Sequence, residues 1–223
     1  ACSQDVPQVD TPTSGATAVP VLDSQRLATV LARIQKGLEA ADSAKSSDDL
    51  VGYLTGPAAR IRGESYTLAT ASSNDSVIDP LTTTSQAEAV GLTTSFPRTA
   101  LTVTEGTDTS NVPYLLALTE ETARDPYEMW GWAQLFNGVE VPSTATPSVG
   151  SAQVGADTTG LIATPEETLA AYVDALNDPS GANGTAFADD ALRQRVAAER
   201  SPDVSTAGEI TVTVPTQPPV PQP

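Results

Sequence analysis

Apolar residues recur at every third or fourth position in the first third of this chain and at every second position near its middle. One layer of one element type cannot satisfy both periods. Leu27, Val30, Leu31, Ile34, Leu38 and Ala41 follow the helical spacing, with Asp23 or Ser24 placed to cap the first turn. This predicts an amphipathic helix facing a core and ending in the polar run 42–49. A shorter helix is expected through Leu50, Tyr53 and Leu54, after which Gly56-Pro57 breaks the pattern and starts another helix carrying Ile61 and Leu68. Beyond a Ser/Asn/Thr-rich loop at 72–85 the period moves toward two. Segments 99–105, 112–121 and 127–136 read as strands, separated by turn-rich 106–111 and 122–126. The expected fold class is α+β, with a helix packed on an antiparallel meander.

The same order recurs later in weaker form. Thr164-Pro165-Glu166-Glu167 is a helix start with Thr as N-cap, Pro in the first turn and Glu placed to close a capping box. Leu169, Tyr172, Val173 and Leu176 give that helix an apolar stripe. A polar break at 177–185, further helix at 187–199 and a strand at 209–214 with Ile210, Val212 and Val214 on one face follow. The chain is therefore divided into a flexible tether at 1–22, an α+β module at 23–142, a linker at 143–160, a second, mostly helical partial repeat at 161–214 and a Pro-rich tail at 215–223. A long helix against a meander is the arrangement of cystatin-like and nuclear-transport-factor-2-like modules, which the first module resembles.

Composition narrows the chemistry. The formal net charge of -17 and the presence of only two lysines, Lys36 and Lys45, oppose binding to nucleic acid, because phosphate contacts need clustered cations. The same charge disfavours a polybasic grip on anionic lipid. No histidine occurs, which removes the usual general base near neutral pH, Ser-His-Asp hydrolysis and histidine-containing zinc sites. Acidic residues gather at Glu120, Glu121, Asp125 and Glu128 and at Asp189-Asp190, without the spacing of a calcium loop. They are expected to be solvated surface, the Asp pair serving as helix-start charges. No cofactor, metal or catalytic residue is expected.

Two features point toward binding and location. Aromatic residues are scarce, yet Trp130, Trp132 and Phe136 lie on one expected strand, alternating with Tyr127, Met129, Ala133 and Leu135. Trp130 and Trp132 are expected to point the same way, as a core patch under a helix or as the lining of an open concavity. Cys2 is the only cysteine; it follows Ala1 and precedes a Pro/Thr/Ser-rich stretch, as in the lipobox of bacterial lipoproteins. Lipidation at Cys2 is the expectation, with a thiol of no role as the alternative.

The segments Arg98-Thr-Ala-Leu-Thr-Val-Thr-Glu105, Pro113-Tyr-Leu-Leu-Ala-Leu118, Asp125-Pro-Tyr-Glu-Met-Trp-Gly-Trp-Ala133 and Thr164-Pro-Glu-Glu-Thr-Leu-Ala-Ala-Tyr172 together resemble a family of actinobacterial lipoproteins carrying a domain of unknown function. The Trp-Gly-Trp strand is the most distinctive piece. The resemblance implies an extracytoplasmic protein on the outer face of the cytoplasmic membrane, held there by lipid on Cys2. The expected function is that of a non-catalytic accessory or scaffold subunit of a larger membrane-protein complex, a respiratory supercomplex being one candidate. The alternative is a free-standing envelope module that binds a small apolar or sugar ligand.

Overall fold

The computed structural model describes residues 17–107, 112–139, 141–200 and 211–213. Helix α1, Ser24–Ala44, begins where the Asp23 carboxylate accepts the Arg26 amide at 2.8 Å and ends where Lys45 turns left-handed with φ 50°. Its buried face is Leu27, Leu31, Ile34, Leu38 and Ala41. Gly37 lies on that face because Tyr53 packs against the helix backbone: a Cβ built at Gly37 would sit 2.3 Å from the Tyr53 ring. A short turn at Asp48–Leu50 then buries Leu50 and leads to helix α2, Gly56–Ser72, which has Pro57 in its first turn.

Helix α2 turns an unexpected face inward. Ile61 and Leu68 are exposed, whereas Ala58, Arg62, Tyr66 and Ala69 are buried. A polar node explains this orientation. Arg62 is 1% exposed, and its Nε and Nη2 donate to the two Asp42 oxygens at 2.8 and 2.5 Å. Its Nη1 donates to the Asp79 carbonyl at 2.7 Å, and the Tyr66 hydroxyl donates to Asp42 at 2.6 Å. Burial works against the Arg62 charge, but the bonds to Asp42 outweigh it and its pKa is raised. Burial first and then the Asp42 contact also push the Tyr66 phenol upward.

The sheet is built from β1 Val19–Pro20, β2 Ser85–Thr93, β3 Arg98–Thr104, β4 Tyr114–Glu120, β5 Glu128–Gln134 and β6 Ser151–Ala152. Strands β1 to β5 lie in chain order, all neighbours antiparallel, and β6 pairs parallel with β2. Leu92 of β2 pairs with both Pro20 and Ala152, so β6 occupies the β3 side of β2 beyond the last β2–β3 pair, Val90 with Ala100. Val90, Ala100, Leu116, Leu118 and Met129 meet the α1 stripe in one core that also takes in Leu50, Leu54, Tyr114 and Tyr127. The protein is thus α+β, with a helix packed on an antiparallel meander.

Two expected boundaries move. The tether assigned to 1–22 ends inside the sheet, since Val19–Pro20 is a strand and Leu22 is buried. Residues 1–16, Cys2 among them, lie outside the described residues. The linker at 143–160 supplies β6, and its Gln153 donates to Thr99 at 2.7 Å. Short strands of two residues carry little apolar surface, which is why composition reads them as connecting chain.

The second unit is helical: α3 Pro165–Asn177, α4 Ala182–Ala186 and α5 Ala191–Glu199. Thr164 and Glu167 form the expected reciprocal capping box. Asp190 caps α5 through bonds from the Leu192 and Arg193 amides, so the helix expected at 187–199 starts later and the expected polar break contains α4. Of the strand expected at 209–214 only 211–213 are described, and among the described residues they pair with no strand: the Asn177 side chain acts as their partner, donating to the Val212 carbonyl at 2.7 Å and accepting its amide at 3.0 Å. The tail at 215–223 lies outside the described residues.

Because Asp42 neutralises a guanidinium that has no access to water, Asp42→Ala should destabilise the protein by about 3–5 kcal/mol in urea unfolding. The double replacement Asp42→Leu with Arg62→Met should cost clearly less, because no buried charge is left unpaired.

Candidate functional site

The aromatic strand does not display its tryptophans as a pair. Leu116 pairs with Trp132 and Ala117 with Gly131, but Leu118 pairs with Met129, so Trp130 is the extra residue of a β-bulge. The bulge shifts the phase of the strand and brings Met129 and Trp132, rather than Trp130 and Trp132, to the side of Leu116 and Leu118. Trp132 packs against the main core. Trp130 is half-buried against the start of α2, where Gly56, at φ +52°, lies under the indole: a Cβ there would be 3.0 Å from Nε1. The chain entering α2 closes the same edge, with Met129 bonded to the Tyr53 carbonyl at 2.8 Å and the Thr55 amide at 3.0 Å. Phe136, beyond the strand, is 38% exposed.

The acidic residues divide in two. Glu121 and Asp125 are exposed and accept bonds from Thr119 and Thr122, as solvated turn residues do. Glu120 and Glu128, also expected to be solvated, are half-buried, because the strand ends that carry them are covered by Arg98 and by the turn at Gly52. Glu120 sits opposite Arg98 in the β3–β4 register, with Nη1 and Oε2 3.6 Å apart, an ion pair too long for a hydrogen bond. Arg98 also stacks over the Phe96 ring at 4.2 Å. Arg98 Nε, Glu120 Oε2 and the Tyr127 hydroxyl are buried polar atoms with no hydrogen-bond partner. Burial raises the Glu120 pKa despite the opposing pull of Arg98, and burial beside Glu120 raises Tyr127. Nearby, Arg33 donates to the Gly52 carbonyl at 2.6 Å and to the Tyr127 carbonyl, and lies over the Tyr53 ring at 5.2 Å. This cluster can hold a proton on Glu120, but it lines neither of two grooves formed by the described residues.

Those grooves lie elsewhere. One, of about 510 Å³, runs between α1 and residues 83–88, where Gln35, Lys36, Glu39 and Glu88 stand beside Ala28, Leu31 and Ala32. The other, of about 790 Å³, is apolar and lies on the second unit between Leu161, Ile162, Ala163, Ala171 and Phe187. Leu161 and Ile162 are exposed there. Of the stripe expected on α3, Leu176 is buried and Tyr172 and Val173 are half-buried, while Leu169 faces water. The Tyr172 ring meets Phe187 edge-on at 5.3 Å and its hydroxyl donates to Asp190 at 2.8 Å. Burial followed by that bond pushes the Tyr172 pKa up to about 12. The adjacent Leu161-Ile162 pair just ahead of the Thr164 cap is the sequence signal for this groove, and the partition into linker and repeat at 160–161 obscures it.

Among the described residues no group of three His, Cys, Asp or Glu side chains could hold a metal ion. No described helix is long and apolar enough to cross a membrane. Compared with protein-family models, curated proteins and solved structures, the chain matches none.

Two outcomes follow from the placement of these side chains. Trp132→Ala should cost about 2–3 kcal/mol in chemical denaturation, as a truncation at the core margin, whereas Phe136→Ala should cost less than about 1 kcal/mol. The raised pKa of Glu120 makes the fold hold a proton that the unfolded chain has already released. Its contribution to stability is therefore greatest below the ordinary carboxylate range and falls as pH rises through the raised value. Glu128 is displaced in the same direction, mainly by burial. Glu120→Gln should flatten the decline of Tm across mildly acidic pH relative to the parent, and an unchanged slope would refute the assignment.

Proposed function

We propose that this chain is a non-catalytic, lipid-anchored accessory subunit on the outer face of the cytoplasmic membrane, docked on a larger membrane-protein complex. The observation that carries the reading is the apolar groove of the second unit. In a protein of net charge -17, Leu161 and Ile162 stand exposed along its lining, which Ala171 and Phe187 help to complete. An apolar surface of this kind, rimmed by polar residues, is what a protein partner covers. The strongly acidic charge favours a protein occupant over an anionic lipid surface. Support for the anchor comes from Cys2 directly after Ala1, followed by a polar stretch before the first strand. Anchoring would confine the groove to a thin layer beside the membrane and raise its effective concentration for a membrane partner. The resemblance to actinobacterial lipoproteins adds to this reading and rests on the quoted segments alone.

The alternative of a small ligand held by the tryptophans is less favoured, because Trp132 packs on the core and Trp130 on Gly56.

The test is purification from detergent-solubilised membranes. The parent should recover a large assembly in constant ratio, and Cys2→Ala should move the protein from the membrane fraction to the medium or block its maturation. Ile162→Asp should lose the assembly while remaining folded and membrane-bound. Recovery of the anchored protein alone would overturn the accessory role, and an unmodified thiol on membrane-bound protein would overturn the anchor.

A further inference from the structure

The chain contains two Asn-Gly dipeptides, Asn137-Gly138 and Asn183-Gly184, and the fold treats them in opposite ways. Asn137 and Gly138 are exposed and occupy the centre of a turn closed by the Val139 amide donating to the Phe136 carbonyl at 3.1 Å. Gly138 has φ +79°, as the third residue of a type II turn requires, and a Cβ built on it would meet nothing within 4 Å. Among the described residues, neither the Asn137 side chain nor the Gly138 amide has a hydrogen-bond partner. Asn183 stands in α4. Its side-chain nitrogen donates to Asp174 at 2.8 Å and its carbonyl accepts the Phe187 amide at 3.1 Å. Gly184 is buried, its carbonyl accepts from Arg193 at 2.7 Å, and a Cβ there would lie 2.3 Å from the Asp178 carbonyl oxygen.

We infer that Asn137-Gly138 is a site of spontaneous covalent modification, deamidation through a cyclic imide, and that Asn183-Gly184 is protected by the fold. The reaction needs only water. The Gly138 backbone nitrogen gives up its proton and forms a bond to Cγ of Asn137. The Cγ–Nδ2 bond breaks, and ammonia leaves carrying that proton. Water then opens the five-membered imide: addition at Cγ yields aspartate, and addition at the former backbone carbonyl carbon yields isoaspartate, with the main chain rerouted through the side chain. The attack requires an unhindered nitrogen and a side chain free to swing over it. The turn at 137–138 supplies both. At 183–184 the Asp174 bond, the helical turn and the packing around Gly184 must be lost first, so the reaction there waits on local unfolding. Modification at 137 places a new negative charge, accompanied in isoaspartate by an extra backbone carbon, one residue beyond Phe136 and so alters the rim of the aromatic strand.

The experiment is peptide mapping by mass spectrometry of the folded full chain held warm at neutral and at mildly alkaline pH, with aspartate and isoaspartate products separated. In the folded protein Asn137 should convert at least about tenfold faster than Asn183, a ratio set by the bonds that must open at the second site. Both positions should convert at similar rates in denaturant, and Asn137→Gln should remain unmodified. Conversion of Asn183 at an equal or greater rate in the folded chain would overturn the inference. So would an intact Asn137 after the denatured sample has reacted.

Discussion

The buried node of Asp42, Arg62 and Tyr66 fixes how the first module is assembled. It ties the last turn of α1 to the middle of α2 and, through the Asp79 carbonyl, to the chain that descends into β2. A guanidinium that is 1% exposed is stable only with its donors engaged, and here three of them meet acceptors from two different segments. The geometry is bidentate, so it sets the relative rotation of the helices as well as their distance. Hydrophobic burial alone would leave that rotation loose, because the inward face of α2 is small: Ala58 and Ala69 flank the polar pair. The same node explains why Ile61 and Leu68 are left in water.

Arg33 plays a related part at the opposite side of α1. Its bonds to the carbonyls of Gly52 and Tyr127 pin the turn before α2 and the start of β5 to one side chain, and the Tyr53 ring lies beneath it. The open edge of β5 is thereby covered at Met129 by residues 53–55, which pair with it through main-chain bonds. An uncovered edge next to a tryptophan-bearing strand would invite pairing with another chain. The bulge at Trp130 falls where this cover arrives, so the irregularity in the ladder and the closure of the edge are one feature of the fold.

Legibility in the sequence follows surface chemistry. Helix α1, the three later strands of the meander and the Thr164 cap were readable because each carries either a clean apolar period or a capping pattern of high information. Strand β2 was not: Ser-Gln-Ala-Glu-Ala-Val-Gly-Leu-Thr has a single buried β-branched residue, Val90, and its place is set by neighbours on both sides. The Asp42–Arg62 pair was equally hidden, since a charge in a polar run looks solvated until its partner twenty residues away is known to be buried. The strand period predicted both tryptophans on one face, and a bulge, which costs one residue of phase, separated them. Nothing in composition locates a bulge. The withdrawal of Glu120 and Glu128 from water was invisible for the same reason, because it depends on what crosses the strand ends.

The two units differ in what holds them. The first buries a contiguous core, whereas among the described residues of the second only Ala175 and Leu176 are buried apolar side chains. Its helices are tied mainly by directional contacts: the Thr164–Glu167 box, the Tyr172–Asp190 bond, Arg193 on the carbonyls that close α4, and Arg200 on the end of α3. Such contacts specify geometry, but each adds only about 1 kcal/mol, far less than a buried apolar layer would. A unit built this way opens locally at lower cost than the module beside it. Among its described residues the groove at Leu161 and Ile162 is an uncovered apolar surface, so covering it would supply the layer of burial that the helices lack. Were a partner to cover it, as proposed, binding and the ordering of the second unit would be the same physical event, since the surface that recognises would also be the surface whose burial stabilises.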